Sequence, residues 1–393
     1  MARWKSGVSG WVQMLLNTFL FTLVTEDATQ ESVTSEDTTA ATLVEDTNVD
    51  SLSKVKLPRK LPSIIEIKKR LPSHCFDRQT STSMYYMIRD FVQVIAAYYV
   101  GEFLWNNLSP AVLVVVAPVF VFVQGTFFTS LFVIGHDCGH RSFSNYRLLD
   151  DMVGNVTHTF LMTPFYTWKL THSHHHKNTG NIDRDEVFYP VRRKYDTGGK
   201  VLPGFGLGIG WFGYLITGYK PRNVPHFDPF QPMYRKHVVA CLVSLVSMAI
   251  WGTCLYRYAV TVGCAKFCYH YFGPLFVFAT YTVVITFLHH HDDDIPWYSD
   301  HLWDNVRGQL SSIDRDYGIV HYVIHSIGTH QVHHLFPKMP HYHLEEATQV
   351  FRKEFPELVH LNKSPIFPAY FNMFARWAKQ CIIADDTDVH IYK

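Results

Sequence analysis

Cysteine is scarce in this chain, with 7 residues in 393, an odd number scattered from Cys75 to Cys381. That count excludes a disulfide-stapled secreted scaffold. Net charge is nearly absent as well, at +1, so no global field attracts a polyanion and nucleic-acid binding is not expected. Charged residues make up only 18% of the chain against 47% hydrophobic ones, and the apolar residues are bunched into long runs that leave other stretches polar. Such bunching is a membrane signature. Histidine, by contrast, is abundant at 24 residues, which asks for a metal.

The first 24 residues place Arg3 and Lys5 before a short apolar run that Gln13 and Asn17 interrupt, with no small-x-small cleavage site behind it. This predicts an interfacial helix or an unstructured extension rather than a cleaved signal. Residues 25–50 carry eight acidic residues and no Lys or Arg, too little apolar surface to offset their ordering entropy, and are expected to be a disordered tail. Residues 54–70 reverse the sign with seven basic residues against Glu66, as a juxtamembrane collar does.

Four stretches then approach the length needed to cross a hydrocarbon core: 91–108, 110–135, 237–256 and 272–288. Short links join the first to the second and the third to the fourth, so two hairpins are expected, with both long polar regions on one side. The loop 141–236 holds thirteen Lys and Arg residues, whereas the short turns hold only Arg257 and Lys266. By the positive-inside rule the large loop and both termini face the cytosol. Within that loop, 207–218 is apolar but too short to span, and its glycines disfavour an isolated helix, so an interfacial or re-entrant segment is predicted.

Three histidine clusters stand out: His136 and His140; His172, His174, His175 and His176; and His330, His333 and His334. Residues three and four apart share one face of a helix, so each cluster turns two or three imidazoles in one direction. The first cluster sits at the end of the second span, and His289, His290 and His291 end the fourth, so the hairpins bring these groups to the same membrane face. His136, His140, His172, His175, His176, His330, His333 and His334 give eight ligands, and His290 makes nine. A single zinc needs three or four and no His-Glu-x-x-His is present to supply a zincin base, so two metals are expected. Imidazole alone does not choose among iron, zinc, copper and nickel; dioxygen activation by a membrane enzyme favours iron. His174 breaks the spacing and, like His158, His321, His341 and His343, is expected outside the ligand set, and Asp292, Asp293 and Asp294 in a solvated loop. Asp137, Asp314 and Asp316 are candidates to orient ligand N–H groups, with His325 beside them. A transporter would place its ionisable ligands mid-span, and here they lie at span ends.

At these residues the chain resembles the membrane-bound fatty acyl desaturases, whose three histidine boxes have these spacings. The likeness runs from about residue 58 to 355 through PSHCF, HDCGHRSF, HSHHHKNTG, SSIDRDYG and GTHQVHHLFPKMPHYHLEEAT, and is similar to the methyl-end branch of Delta-12 and omega-3 enzymes. In that branch a Gln-His pair follows the fourth span, and His290 falls on its histidine. The resemblance implies an all-α integral membrane protein of the endoplasmic reticulum, with four transmembrane helices in two hairpins and a cytosolic helical cap carrying a histidine-rich di-metal site. It implies an extension over 1–57, a desaturase domain over 58–360 and a C-terminal cytosolic tail over 361–393. It further implies two non-haem irons, O2 as co-substrate, and a fatty acyl lipid or acyl-CoA substrate. No His-Pro-Gly-Gly haem motif is present, so electrons are expected from a separate donor, cytochrome b5 with its reductase. Asp137 in the first box and the context of the third favour omega-3 over Delta-12 chemistry, while hydroxylase, acetylenase and conjugase outcomes on the same scaffold stay open. Trp168 and Trp211 are expected either to shape the acyl lining or to anchor at the interface.

Overall fold

The structure, a computed structural model, describes residues 52, 55–58, 60–198 and 207–393. The signal-like run, the acidic stretch and the Lys54 and Arg59 part of the collar lie outside the described residues. The chain becomes helical at α1 (Ile64–Arg70), where Ser63 and Glu66 cap each other: the Glu66 amide donates to the Ser63 hydroxyl and the Ser63 amide donates to the Glu66 carboxylate at 2.7 Å. Helix α2 (Thr80–Asn107) and α3 (Pro110–His140) are joined through Leu108 and Ser109, with Pro110 preset for the first turn of α3. Then follow α4 (Arg147–Phe160), α5 (Phe165–Asn178), α6 (Gly208–Thr217), α7 (Val238–Val262) and α8 (Cys264–Leu288), which contains one π-type turn.

Among the described residues, α3, α7 and α8 are long and apolar enough to cross a membrane. Helix α2, which holds the expected span 91–108, does not join them, because Gln93, Glu102, Asn106 and Asn107 dilute its apolar run. The charges of α2 are paired: Asp90 with Arg89 and His325, Glu102 with Lys266. Val92, Ile95, Tyr99 and Phe103 nevertheless form an exposed apolar stripe on α2 at helical spacing, as a lipid-facing helix would. The link expected between the third and fourth stretches is also shorter than the sequence suggests. Helices α7 and α8 are separated by Gly263 alone, whose φ of 85° suits a residue without Cβ, and Lys266 enters α8 because Glu102 neutralises it.

Helix α6 lies against α8, burying Trp211 and Leu215, and Gly208 allows that approach, since a Cβ there would stand 2.7 Å from the Phe276 carbonyl oxygen. The cap comprises α9 (Asn305–Gln309), α10 (His330–Leu335) and α11 (His341–Glu354). Its own small core joins Ile67 and Leu71 to Val332, Leu344 and Phe351.

Residues 361–393 are not a tail. Helix α12 (Ile366–Gln380) buries Tyr370, Met373, Phe374 and Trp377 in the main core. Three short strand pairs bind the rest: β1 (Val191–Arg192) with β5 (Ile382–Ile383), β2 (Pro296–Tyr298) with β6 (Val389–Ile391), and β3 (Asp314–Arg315) with β4 (Leu361–Asn362). The aspartates expected in a solvated loop help to fasten this segment. Asp292 takes Arg315 at 3.0 Å and Asn362 at 2.6 Å, and Asp293 pairs with Arg376 of α12.

Candidate metal centre

Four elements converge at one end of the long helices. The last turn of α3 presents His136 and His140, α5 presents His172, His175 and His176, the residues after α8 present His290, and α10 presents His330, His333 and His334. The ring nitrogens sort into two groups. Those of His136, His140, His172, His176 and His333 all lie within 4.8 Å of one another, as do those of His175, His290 and His334. His330 joins the second group, its Nε2 lying 3.3 Å from that of His290 and 2.9 Å from that of His334. Of the three consecutive histidines after α8, His290 is the one that turns a ring nitrogen toward other box histidines, while the ring of His289 packs on that of His330. His289 is held by the Ile313 carbonyl and Tyr317 hydroxyl, and His291 by the carbonyls of Phe287 and Phe188.

Seven of the nine are buried, with His140 and His172 half-buried. Burial first, and then neighbouring imidazoles, push His172, His176, His290, His330, His333 and His334 well below their ordinary pKa. They are therefore neutral, and each offers a lone pair. Where two such lone pairs face each other, as between His333 and His176 at 3.2 Å or His334 and His330 at 2.9 Å, neither has a donor to accept from. A cation shared between them satisfies both, so the donor set fits metal, and imidazole accepts iron as readily as zinc, copper or nickel.

The outer partners differ in part from expectation. Asp137 accepts from His341 through both the backbone N–H at 3.1 Å and Nδ1 at 2.9 Å, while His136 Nδ1 stands 3.6 Å away. Asp314 touches no box imidazole. It accepts from the Gln331 amide at 2.9 Å and from Arg352 at 2.8 Å, and so holds the start of α10 by its backbone. Asp316 is exposed and closes its own turn by accepting from the Gly318 amide; the structure does not bring it to the cluster. His325 bonds Asp90 at 2.6 Å and packs at a tilt on His341 with ring centroids 4.2 Å apart, so that His341 and Asp137 stand between it and His136. His158 is buried in a stack on Phe132, and His174 lies beside Glu186.

Three direct partners escape the sequence reading. Asp185, fully buried, takes His175 Nδ1 at 2.7 Å and the Gly180 amide at 3.0 Å. Thr179 and Gln309 both lie 3.1 Å from His334 Nδ1. Each fixes which ring nitrogen faces inward. The one signal for Asp185 is its place in the acidic stretch NIDRDE just after the second box.

Two openings reach the cluster. An apolar cavity between α3, α6 and α8 runs to His136, His172, His175, His290 and His330, walled by Phe132, Trp168, Trp211 and Tyr214. Trp168 and Trp211 are buried there rather than anchored at an interface. An open polar basin reaches His140, His176 and His334 from elsewhere, and its lining carries seven Lys and Arg residues against Asp150 alone.

Long apolar helices gathering nine imidazoles at one end, beside an apolar cavity, define a membrane-associated helical protein with a histidine-rich site suited to metal. Residues 112–364 match the fatty acid desaturase family. A Delta(12) fatty acid desaturase of Calendula officinalis is 38% identical over 84% of this chain and 90% of its own length. An sn-1 acyl-lipid omega-3 desaturase (ferredoxin) of Nostoc is 34% identical over 85% and 91%. A Delta(12) acyl-lipid conjugase (11E,13E-forming) of Momordica charantia is 38% identical over 82% and 84%. The chain belongs to the fatty acid desaturase family, and is an oxidoreductase of that kind.

Proposed function

We propose that this protein inserts a cis double bond toward the methyl end of an unsaturated C18–C20 acyl chain carried on a lipid or on coenzyme A, with omega-3 regiochemistry. The observation that carries the reading is the cavity: an apolar, aromatic-walled slot ending on histidines from both metal groups. Two hydrogens leave adjacent methylenes and, with O2, two electrons and two protons, yield an alkene and two waters. No side chain is a strong enough base or oxidant for this step; an iron pair held by these histidines would, together with O2, supply that oxidising power. One iron would take His136, His140, His172, His176 and His333, the other His175, His290, His330 and His334. The chain's own part is to bury and aim those imidazoles, to align the acyl methylenes in the slot and to keep water out of it.

The electrons enter, in this reading, by the basic basin, which His140, His176 and His334 line and whose surplus of Lys and Arg suits an acidic carrier protein. Cytochrome b5 with its reductase is the proposed donor. The hairpins α2–α3 and α7–α8 cross the membrane of the endoplasmic reticulum, so that the histidines, the basin and both termini face the cytosol.

Omega-3 over Delta-12 chemistry rests on Asp137 and the third-box context in the sequence, and the relatives include enzymes named for each. Expression in yeast fed linoleate or oleate, with chromatography of fatty acid methyl esters, separates the outcomes. A triene from linoleate is expected; a diene from oleate alone would reassign the enzyme as Delta-12. The similarity to a conjugase sustains a second reading, and a conjugated or hydroxylated product would favour it.

A further inference from the structure

A second donor cluster lies outside the nine histidines. A tight turn over Ser73–Phe76 places His74 and Cys75 against α11, where His343 and Glu346 stand three residues apart on one face. One ligand atom from each of the four lies within 4.8 Å of all the others, although the two segments are about 270 residues apart in sequence. His74 Nε2 is 3.0 Å from Glu346 Oε2 and 3.7 Å from Cys75 Sγ. His343 turns its ring edge-on to that of His74 with centroids 5.6 Å apart, and its Nε2 is buried without a hydrogen-bond partner.

We propose that His74, Cys75, His343 and Glu346 form a structural zinc site that fastens the segment before α2 to the cap. A tetrahedral zinc with sulfur at about 2.3 Å and nitrogen or oxygen at about 2.0 Å needs ligand atoms roughly 3.3–3.5 Å apart. The 3.0 and 3.7 Å separations bracket that value, so small side-chain movements complete it. Cys75 and His343 form the inner half of the site, while the His74 and Glu346 side chains are 55% and 53% exposed and give an ion a way in. One thiolate and two imidazoles select a borderline metal over magnesium or calcium, and four protein ligands leave no open position for catalysis. Coordination displaces the Cys75 thiol proton to solvent and gives the orphaned His343 nitrogen its partner. The ion bridges residues already joined by the Arg70–Glu354 pair at 2.9 Å and by the contacts of Ile67 and Leu71 with Leu344 and Phe351.

The test counts metals in the full-length protein, purified in detergent from cells grown with added zinc, by mass spectrometry of the elements. About one zinc per chain is expected, retained in His333→Ala and lost in His343→Ala with iron unchanged. Glu346→Gln keeps the bond to His74 and the exposed surface, so it folds even if His343→Ala does not. It should weaken zinc retention against a competing chelator by roughly tenfold or more. Cobalt(II) loaded in place of zinc should show a near-ultraviolet thiolate charge-transfer band that disappears in Cys75→Ser. Zinc that leaves with His333→Ala but stays in both His343→Ala and Glu346→Gln, or wild-type protein without stoichiometric zinc, would overturn the assignment.

Discussion

Replacing His333 with Ala removes a ring nitrogen 3.2 Å from that of His176 in the five-histidine group. Turnover should vanish and bound iron should fall by about half, with membrane insertion intact; full iron content with retained activity would remove the third box from the centre. Asp185→Asn keeps the shape of the acceptor but not its charge beside His175. Iron affinity or activity should drop roughly 10- to 100-fold, read by iron titration of the purified variant. Glu186 offers a pH signature. Burial pushes its carboxyl up to about 7, so the folded protein binds a proton that the unfolded chain releases above about 4.5. Its contribution to stability is then full in acid and is lost as pH rises toward 7. Glu186→Gln should therefore raise the melting temperature at pH 8 more than at pH 5, and equal shifts at both would exclude the buried carboxyl as the cause. The ligand histidines were legible because i, i+3 and i, i+4 spacing survives any tertiary arrangement. Asp185 was not, because its pairing depends on how the loop after α5 folds back, and Asp314 was legible as a nearby acid but not as the holder of a helix backbone.

Among the elements, α3 is closely constrained where it meets α4. A Cβ at Gly135 would stand 2.3 Å from His158 Cδ2 and 2.5 Å from Thr157 Oγ1 on α4, one residue before His136. Gly135→Ala should push α3 from α4 and cost about 1–3 kcal/mol, measured by unfolding in detergent, with iron affinity reduced as His136 shifts. Unchanged stability and iron binding would mean that the helices separate freely at that point. Helices α3, α7 and α8 could be read from their apolar runs, since length and composition suffice to mark a span. Helix α12 could not, because its signal is an amphipathic stripe of Tyr370, Phe374 and Trp377, which means burial only when an apolar partner is known to wait for it. The α7–α8 link was overestimated for a related reason: Lys266 reads as a loop residue until Glu102 of a distant helix is placed beside it.

For the molecule as a whole, orientation is the property most open to a simple measurement. Cys264 is exposed beside the α7–α8 turn. In sealed microsomes an impermeant maleimide should leave it unlabelled until the membrane is permeabilised, and labelling from outside would invert the proposed topology. The small net charge concealed the sign pattern on which that topology rests, and only the placement of basic residues in 141–236 against the short turns made it legible. The three strand pairs carry a consequence in time. Each joins residues near the histidines, 191–192, 296–298 and 314–315, to partners among the final 33 residues. Translation therefore reaches all nine box histidines before it reaches the strands that pair beside them. Until 361–393 are made, β1, β2 and β3 lack their partners, and the loops that carry them are left unfastened around an assembled set of imidazoles.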